Sequence, residues 1–121
     1  MKPNNPFVWA AVAWTLLIFI LLIVPEGNLS KRGFLGIPHL DKLAHAIVFF
    51  LLVVLWYRAL APARAGNQTK ALALGLAQAS FLYGMNMELV QALFTTRAFE
   101  WWDIVADGIG AYAAYLWAVK R

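Results

Sequence analysis

Three pairs of polar residues in this chain share helical spacing and carry groups that can do chemistry. Asp41 and His45 stand four apart, Glu88 and Gln91 three apart, and Asp103 and Asp107 four apart. Each pair would share one face of a helix. A carboxylate and an imidazole in a partly dry site serve as general base and acid. In that chemistry Glu88 is the candidate base, His45 its acid or orienter, and Asp41 the partner that fixes the ring. Arg97 offers a planar fork of donors suited to a phosphate or carboxylate on a lipid-linked headgroup. The candidate ligand-binding set is therefore Asp41, Lys42, Gln91, Arg97, Asp103 and Asp107.

Oxygen ligands from Asp103 and Asp107 suit Mg²⁺ or Ca²⁺, and adding His45 allows Zn²⁺. Only one histidine is well placed, and H-E-x-x-H spacing is absent from the sequence, so no resident metal or other cofactor is expected and a divalent cation stays an alternative. Each of these residues also has a structural reading. Asp41 and Asp103 can cap helices, Glu88, Arg97 and Asp103 can form ion pairs that fix helix register, and His45 can be a satisfied interior histidine. His39 follows Pro38 in a connector and reads as a surface residue. Ser80 lies too deep for a hydrolytic nucleophile, and Thr95 and Thr96 read as turn residues.

The elements that hold these residues are apolar. The chain has 121 residues, 63% of them hydrophobic and 13% charged, with a mean hydropathy of +0.68. Soluble domains run at roughly 45–50% apolar and about 25% charged, so a soluble fold of this length could not cover so much apolar surface. There is no cysteine, which excludes disulfides and thiol chemistry. The reading is all-α, a single domain over 1–121, and an integral membrane bundle of four transmembrane helices at about 7–24, 41–60, 70–94 and 102–119. The first run follows Lys2 and competes with a signal peptide. No small-x-small cleavage pattern follows it, so an uncleaved helix is expected. The 26–40 connector, with Phe34-Leu35-Gly36-Ile37-Pro38, is apolar enough to lie in the membrane interface.

With four spans both ends of the chain share one side. That side carries Lys2, Arg58, Arg64, Lys70, Lys120 and Arg121; the other carries Lys31, Arg32, Lys42 and Arg97. The excess favours cytoplasmic termini. Trp56, Tyr57, Trp101, Trp102 and Trp117 fall near span ends, where interfacial aromatics belong. The net charge of +4 is spread over connectors, so no nucleic-acid partner is expected. Counting spans also brings the polar pairs and Arg97 to one end of the bundle, the extracytoplasmic end in this orientation. Gly84, Glu88 and Gln91 share a face, as do Asp103, Asp107, Gly110 and Ala114, and the small residues suit close helix approach.

Asp41-Lys42-Leu43-Ala44-His45, followed by Phe49, resembles the D-K-x-x-H segment of the VanZ-like family. Glu88 to Arg97 resembles that family's E-x-x-Q-x-F-x-x-x-R segment, and Asp103 to Gly110 its D-x-x-x-N-x-x-G segment, with Asp107 where the family usually has asparagine. The resemblance spans about Asp41 to Ala114. It implies a small bacterial membrane protein of the cytoplasmic (inner) membrane and a cell-envelope theme, since the family is named for a protein linked to teicoplanin resistance. It implies no particular reaction.

Three functions fit these residues. The first is recognition, without chemistry, of a lipid-linked cell-wall precursor or a lipoglycopeptide in an extracytoplasmic pocket, with a role in envelope or glycopeptide-antibiotic response. The second is a membrane enzyme acting on a lipid-linked headgroup, with Glu88 and His45 as acid–base pair. The third is a structural partner of another membrane protein.

Overall fold

The computed structural model describes residues 5–23, 40–63, 65–94 and 101–120. Its elements are four helices, α1 (Pro6–Ile23), α2 (Leu40–Leu60), α3 (Asn67–Phe94) and α4 (Trp101–Val119), with a 3-10 turn at Ala61–Ala63. The protein is all-helical, and the helix limits lie within about three residues of those expected from hydropathy. At about 1.5 Å per residue, α1, α2 and α4 are each about 27–32 Å long and α3 about 42 Å. Between the 3-10 turn and α3, Gly66 takes a positive φ of 58°, a left-handed conformation that glycine adopts without steric cost. Its carbonyl then accepts from Thr69 N at 3.1 Å and Thr69 Oγ1 at 2.7 Å, closing the first turn of α3.

The helices run up and down. Asn5, just before α1, donates from Nδ2 to the carbonyls of Arg58 and Ala59 at the end of α2. Gln91, near the end of α3, donates to the Leu22 carbonyl at the end of α1. Lys42 and His45 at the start of α2 meet Asp103 and Asp107 at the start of α4. So α1 and α3 end where α2 and α4 begin. The most extensive packing joins α4 to α2 and α3, while α1 lies against α2 and, less closely, α3.

Small residues set how closely these helices approach. Ala77, Ala111 and Ala114 pack with Val53 at the junction of α2, α3 and α4. Gly110 is tighter still: a Cβ there would sit 2.0 Å from the Ala46 carbonyl oxygen, so α4 meets the bare backbone of α2. A second cluster, Ile18, Phe49 and Leu52, joins α1 to α2, with Trp14, Trp56 and Tyr83 packed against it.

Polar contacts also hold α1. Trp56 Nε1 donates to Thr15 Oγ1 at 2.9 Å, Tyr83 OH donates to the Thr15 carbonyl at 2.9 Å, and Trp14 Nε1 donates to the Val48 carbonyl at 3.0 Å. The Trp56 indole, expected near a span end, is half-buried and bonds to α1 through Thr15.

Among the described residues, two helices are long and apolar enough by hydropathy to cross a membrane, α1 over Pro6–Ile23 and α2 over Lys42–Leu60. The other two are less apolar: α3 carries Ser80, Glu88 and Gln91 on its buried face and Gln78 and Asn86 on its exposed face, and α4 carries the buried Asp103 and Asp107. The 26–39 part of the connector expected in the membrane interface, including His39, lies outside the described residues, as do Thr95 and Thr96.

Candidate functional site

The buried face of α3 is Ala73, Ala77, Ser80, Gly84, Met87, Glu88 and Gln91; that of α4 includes Asp103, Asp107, Gly110, Ala114 and Ala118. These repeats of three and four residues make one inward stripe per helix. The stripes bring the polar residues to one end of the bundle, the end where α2 and α4 begin. Asp107 lies six residues into α4 and His45 five into α2, so both sit about 8–9 Å inside the helix ends.

There, a chain of charges crosses from α2 to α4. His45 Nδ1 lies 2.7 Å from Asp107 Oδ1. With Asp107 ionised, its carboxylate only accepts, and the proton of this bond is then on Nδ1. The other ring nitrogen, Nε2, lies 3.7 Å from Asp103 Oδ2. The second oxygen of Asp103 is 2.7 Å from Lys42 Nζ. The imidazole is therefore held between two carboxylates, and the outer carboxylate is held by an ammonium. Asp107 is 1% exposed. Burying a carboxylate so fully is costly without such partners.

Close packing aims this network. Gly110 lets α4 approach α2, which brings Asp107 within reach of His45. On the other side, Gly84 of α3 makes room for the carboxylate: a Cβ there would lie 2.4 Å from Asp107 Oδ2. That oxygen is buried and has no hydrogen-bond partner among the described residues. Glu88, one turn beyond Gly84, is 2% exposed, and its charge acts on His45 through space. Gln91, also buried, ties this end of α3 to α1 by donating to the Leu22 carbonyl.

Of the residues singled out from sequence, Lys42, His45, Asp103 and Asp107 form one connected network, with Glu88 and Gln91 buried at the same end. The Nδ1 partner of His45 is Asp107, whereas Asp41 was expected to fix the ring. Asp41 lies in the first turn of α2, but its side chain is outside the described residues. Arg97, the expected anion holder, is also outside them. Among the described residues, no three histidine, aspartate or glutamate side chains are arranged to hold a metal ion. The pairing of His45 with Asp107 could not be read from spacing, because it joins residues 62 apart. What the sequence did offer was the small residue on each flank, Gly84 and Gly110.

Comparison with known proteins corrects two expectations. The chain is 34% identical over 101 residues to an uncharacterized protein of the fission yeast Schizosaccharomyces pombe, a match over 84% of this chain and 60% of that protein. The chain thus spans less than two thirds of the length of its curated relative. No family model matches the chain, and no solved structure matches it. Membership of the VanZ-like family is therefore withdrawn, and with it the glycopeptide-resistance theme. The physical reason is that the resemblance rested on a few polar positions at helix ends. Any apolar bundle with one polar end tends to place aspartate, histidine, glutamate and glycine at such spacings. Placement in a bacterial inner membrane is withdrawn as well, because the relative is eukaryotic.

Proposed function

We propose that the chain is a four-span membrane protein that binds a lipid headgroup rich in hydroxyl or amine donors at the acidic end of its bundle. The membrane part of this reading is supported by an inverted distribution of polarity. Large apolar side chains are exposed on every helix, among them Trp9 and Leu16 on α1, Leu43 on α2, Leu82 and Leu93 on α3, and Ile109 on α4. The charged network is inside. Only 17% of the apolar stretch of α1 and 22% of that of α2 is buried, which is unlike the core helix of a soluble protein. In water such exposed apolar surface would drive aggregation; in lipid it is the favoured exterior. On α4 the charged side chains that lower its hydropathy, Asp103 and Asp107, face inward; on α3 Glu88 and Gln91 face inward, while Gln78 and Asn86 are exposed, the Asn86 amide donating to the Leu82 carbonyl of its own helix.

The recognition part rests chiefly on one observation, the buried Asp107 Oδ2 with no hydrogen-bond partner among the described residues. A network serving only to lock helices would have all its buried acceptors satisfied. An acceptor left over beside a second buried carboxylate, Glu88, suits a ligand that brings donors. Native mass spectrometry of the purified chain in mild detergent, with cellular lipids retained, tests this. The expected result is one lipid with a hydroxyl- or amine-bearing headgroup retained by the unmodified chain and lost from Asp107→Asn. In that variant the amide oxygen can still accept from His45, and the amide nitrogen then turns a donor toward the ligand. Equal retention by both proteins, or no lipid on either, contradicts the proposal.

An acid–base enzyme is the second reading, favoured by the His45–Asp107 pair, since a carboxylate on one ring nitrogen orients an imidazole for proton transfer through the other. His45→Gln separates the two readings. It would leave the bound lipid unaltered in mass if the site only binds, and it would block conversion of that lipid if the site reacts.

A further inference from the structure

We propose that the opposite end of the bundle carries a second site, centred on Arg58, which takes the phosphate of an anionic lipid headgroup. An open cleft of about 480 Å³ lies there, lined by Asn5, Phe7, Tyr57, Arg58, Ala61 and Pro62. Its size falls within the range of small-molecule sites, roughly 300–1,000 Å³. The Arg58 guanidinium carbon lies 5.7 Å from the ring centroid of Phe7 and 5.4 Å from that of Trp117. Tyr57 braces Trp117 edge-on, with ring centroids 6.0 Å apart and planes at 81°. Cation–π contact leaves the charge and the N–H donors of a guanidinium in place, and those donors bind phosphate in a fork.

Charge at this end points the same way. The chain has six carboxylates. Asp41, Glu88, Asp103 and Asp107 lie on the described helices toward the acidic end. Among the described residues, no carboxylate is at the Arg58 end, and nothing accepts a hydrogen bond from its guanidinium. Lys70 at the start of α3 and Lys120 beyond α4 add positive charge on the same side. The Asn5 side chain joins the cleft wall to the end of α2 through the Arg58 and Ala59 carbonyls, fixing the backbone that carries the arginine. The cleft opens where the ends of the helices would meet a headgroup layer, so its occupant is a phosphate that either belongs to a lipid or is free in solution.

The test is native mass spectrometry of the full chain in mild detergent with equimolar phosphatidylglycerol and phosphatidylcholine. These share a phosphodiester and differ in the choline cation. One phosphatidylglycerol per chain is expected, preferred over phosphatidylcholine, and Arg58→Gln should weaken it by about tenfold or more, as loss of charge-assisted hydrogen bonds implies. Lys70→Gln, at the same end but outside the cleft, should change it by less than about twofold. Size-exclusion chromatography and circular dichroism establish that each variant folds. If Arg58→Gln does not fold, Arg58→Lys keeps the charge, loses the fork, and should fall between the two. Millimolar inorganic phosphate separates the sources: displacement of the lipid supports the phosphate site with a soluble occupant, and no displacement supports a lipid occupant. Equal retention of the two lipids, or equal loss in Lys70→Gln and Arg58→Gln, overturns the proposal in favour of diffuse charge. Because Arg58 and Asp107 are at opposite ends, failure here leaves the acidic site standing.

Discussion

His45 and Asp107 are the closest-coupled residues of the acidic end, and their energetics are separable. Asp107→Ala strands an imidazole between helices and leaves a gap beside Gly84, so it should destabilise the protein by about 3–5 kcal/mol, as breaking a buried charged pair does. Asp107→Asn keeps the shape and one acceptor and should cost only about 1 kcal/mol. Reversible unfolding in sodium dodecyl sulfate, followed by circular dichroism, measures both. Equal costs would mean that charge on Asp107 contributes nothing to the fold. A double-mutant cycle of His45→Gln with Asp107→Asn should show a coupling above about 0.5 kcal/mol, as residues in contact do. Sequence identified the members of this network by type and spacing but not its wiring. Helical periodicity assigns a residue to a face and says nothing of which residue of another helix faces it. Hence the bond from His45 Nδ1 to Asp107 was not foreseen, while the side chain of Asp41 lies outside the described residues.

At the scale of the helices, glycine marks where packing is decided. Gly110→Ala would drive a methyl group into the backbone oxygen of Ala46, which cannot give way as a side-chain tip can. It should cost about 1–3 kcal/mol or more, the range for overpacked interiors. Gly75→Ala meets nothing within 4 Å and should be neutral or stabilising, since alanine favours helix by about 1 kcal/mol. The same unfolding assay compares them, and a Gly110→Ala protein as stable as the unmodified chain would contradict the close contact of α2 with α4. The helices were legible because long apolar runs end at proline, glycine and charge. The anchoring of α1 was not: Trp14, Thr15, Trp56 and Tyr83 read as ordinary apolar or interfacial positions until their partners on other helices are known.

At the scale of the whole molecule, the carboxylates of the described helices gather at one end, while Arg58, Lys70 and Lys120 lie at the other, with exposed apolar side chains on every helix. The expectation of a membrane bundle came from apolar and charged fractions far from soluble values, and of it the all-helical fold and two helices apolar enough to span are shown. Composition could not give a lineage. Short polar motifs at helix ends resembled a bacterial family, and the match to a fission-yeast protein shows how little such motifs say of origin. Most direct for the central claim is labelling of single introduced cysteines in sealed vesicles with a membrane-impermeant maleimide, clean here because the chain has no cysteine of its own. Lys70→Cys and Lys120→Cys should label together from one side, Trp101→Cys only from the other, and Leu82→Cys, on the exposed apolar face of α3, from neither. Labelling of all four from one side would contradict a four-span bundle with its acidic and basic ends on opposite faces of a membrane.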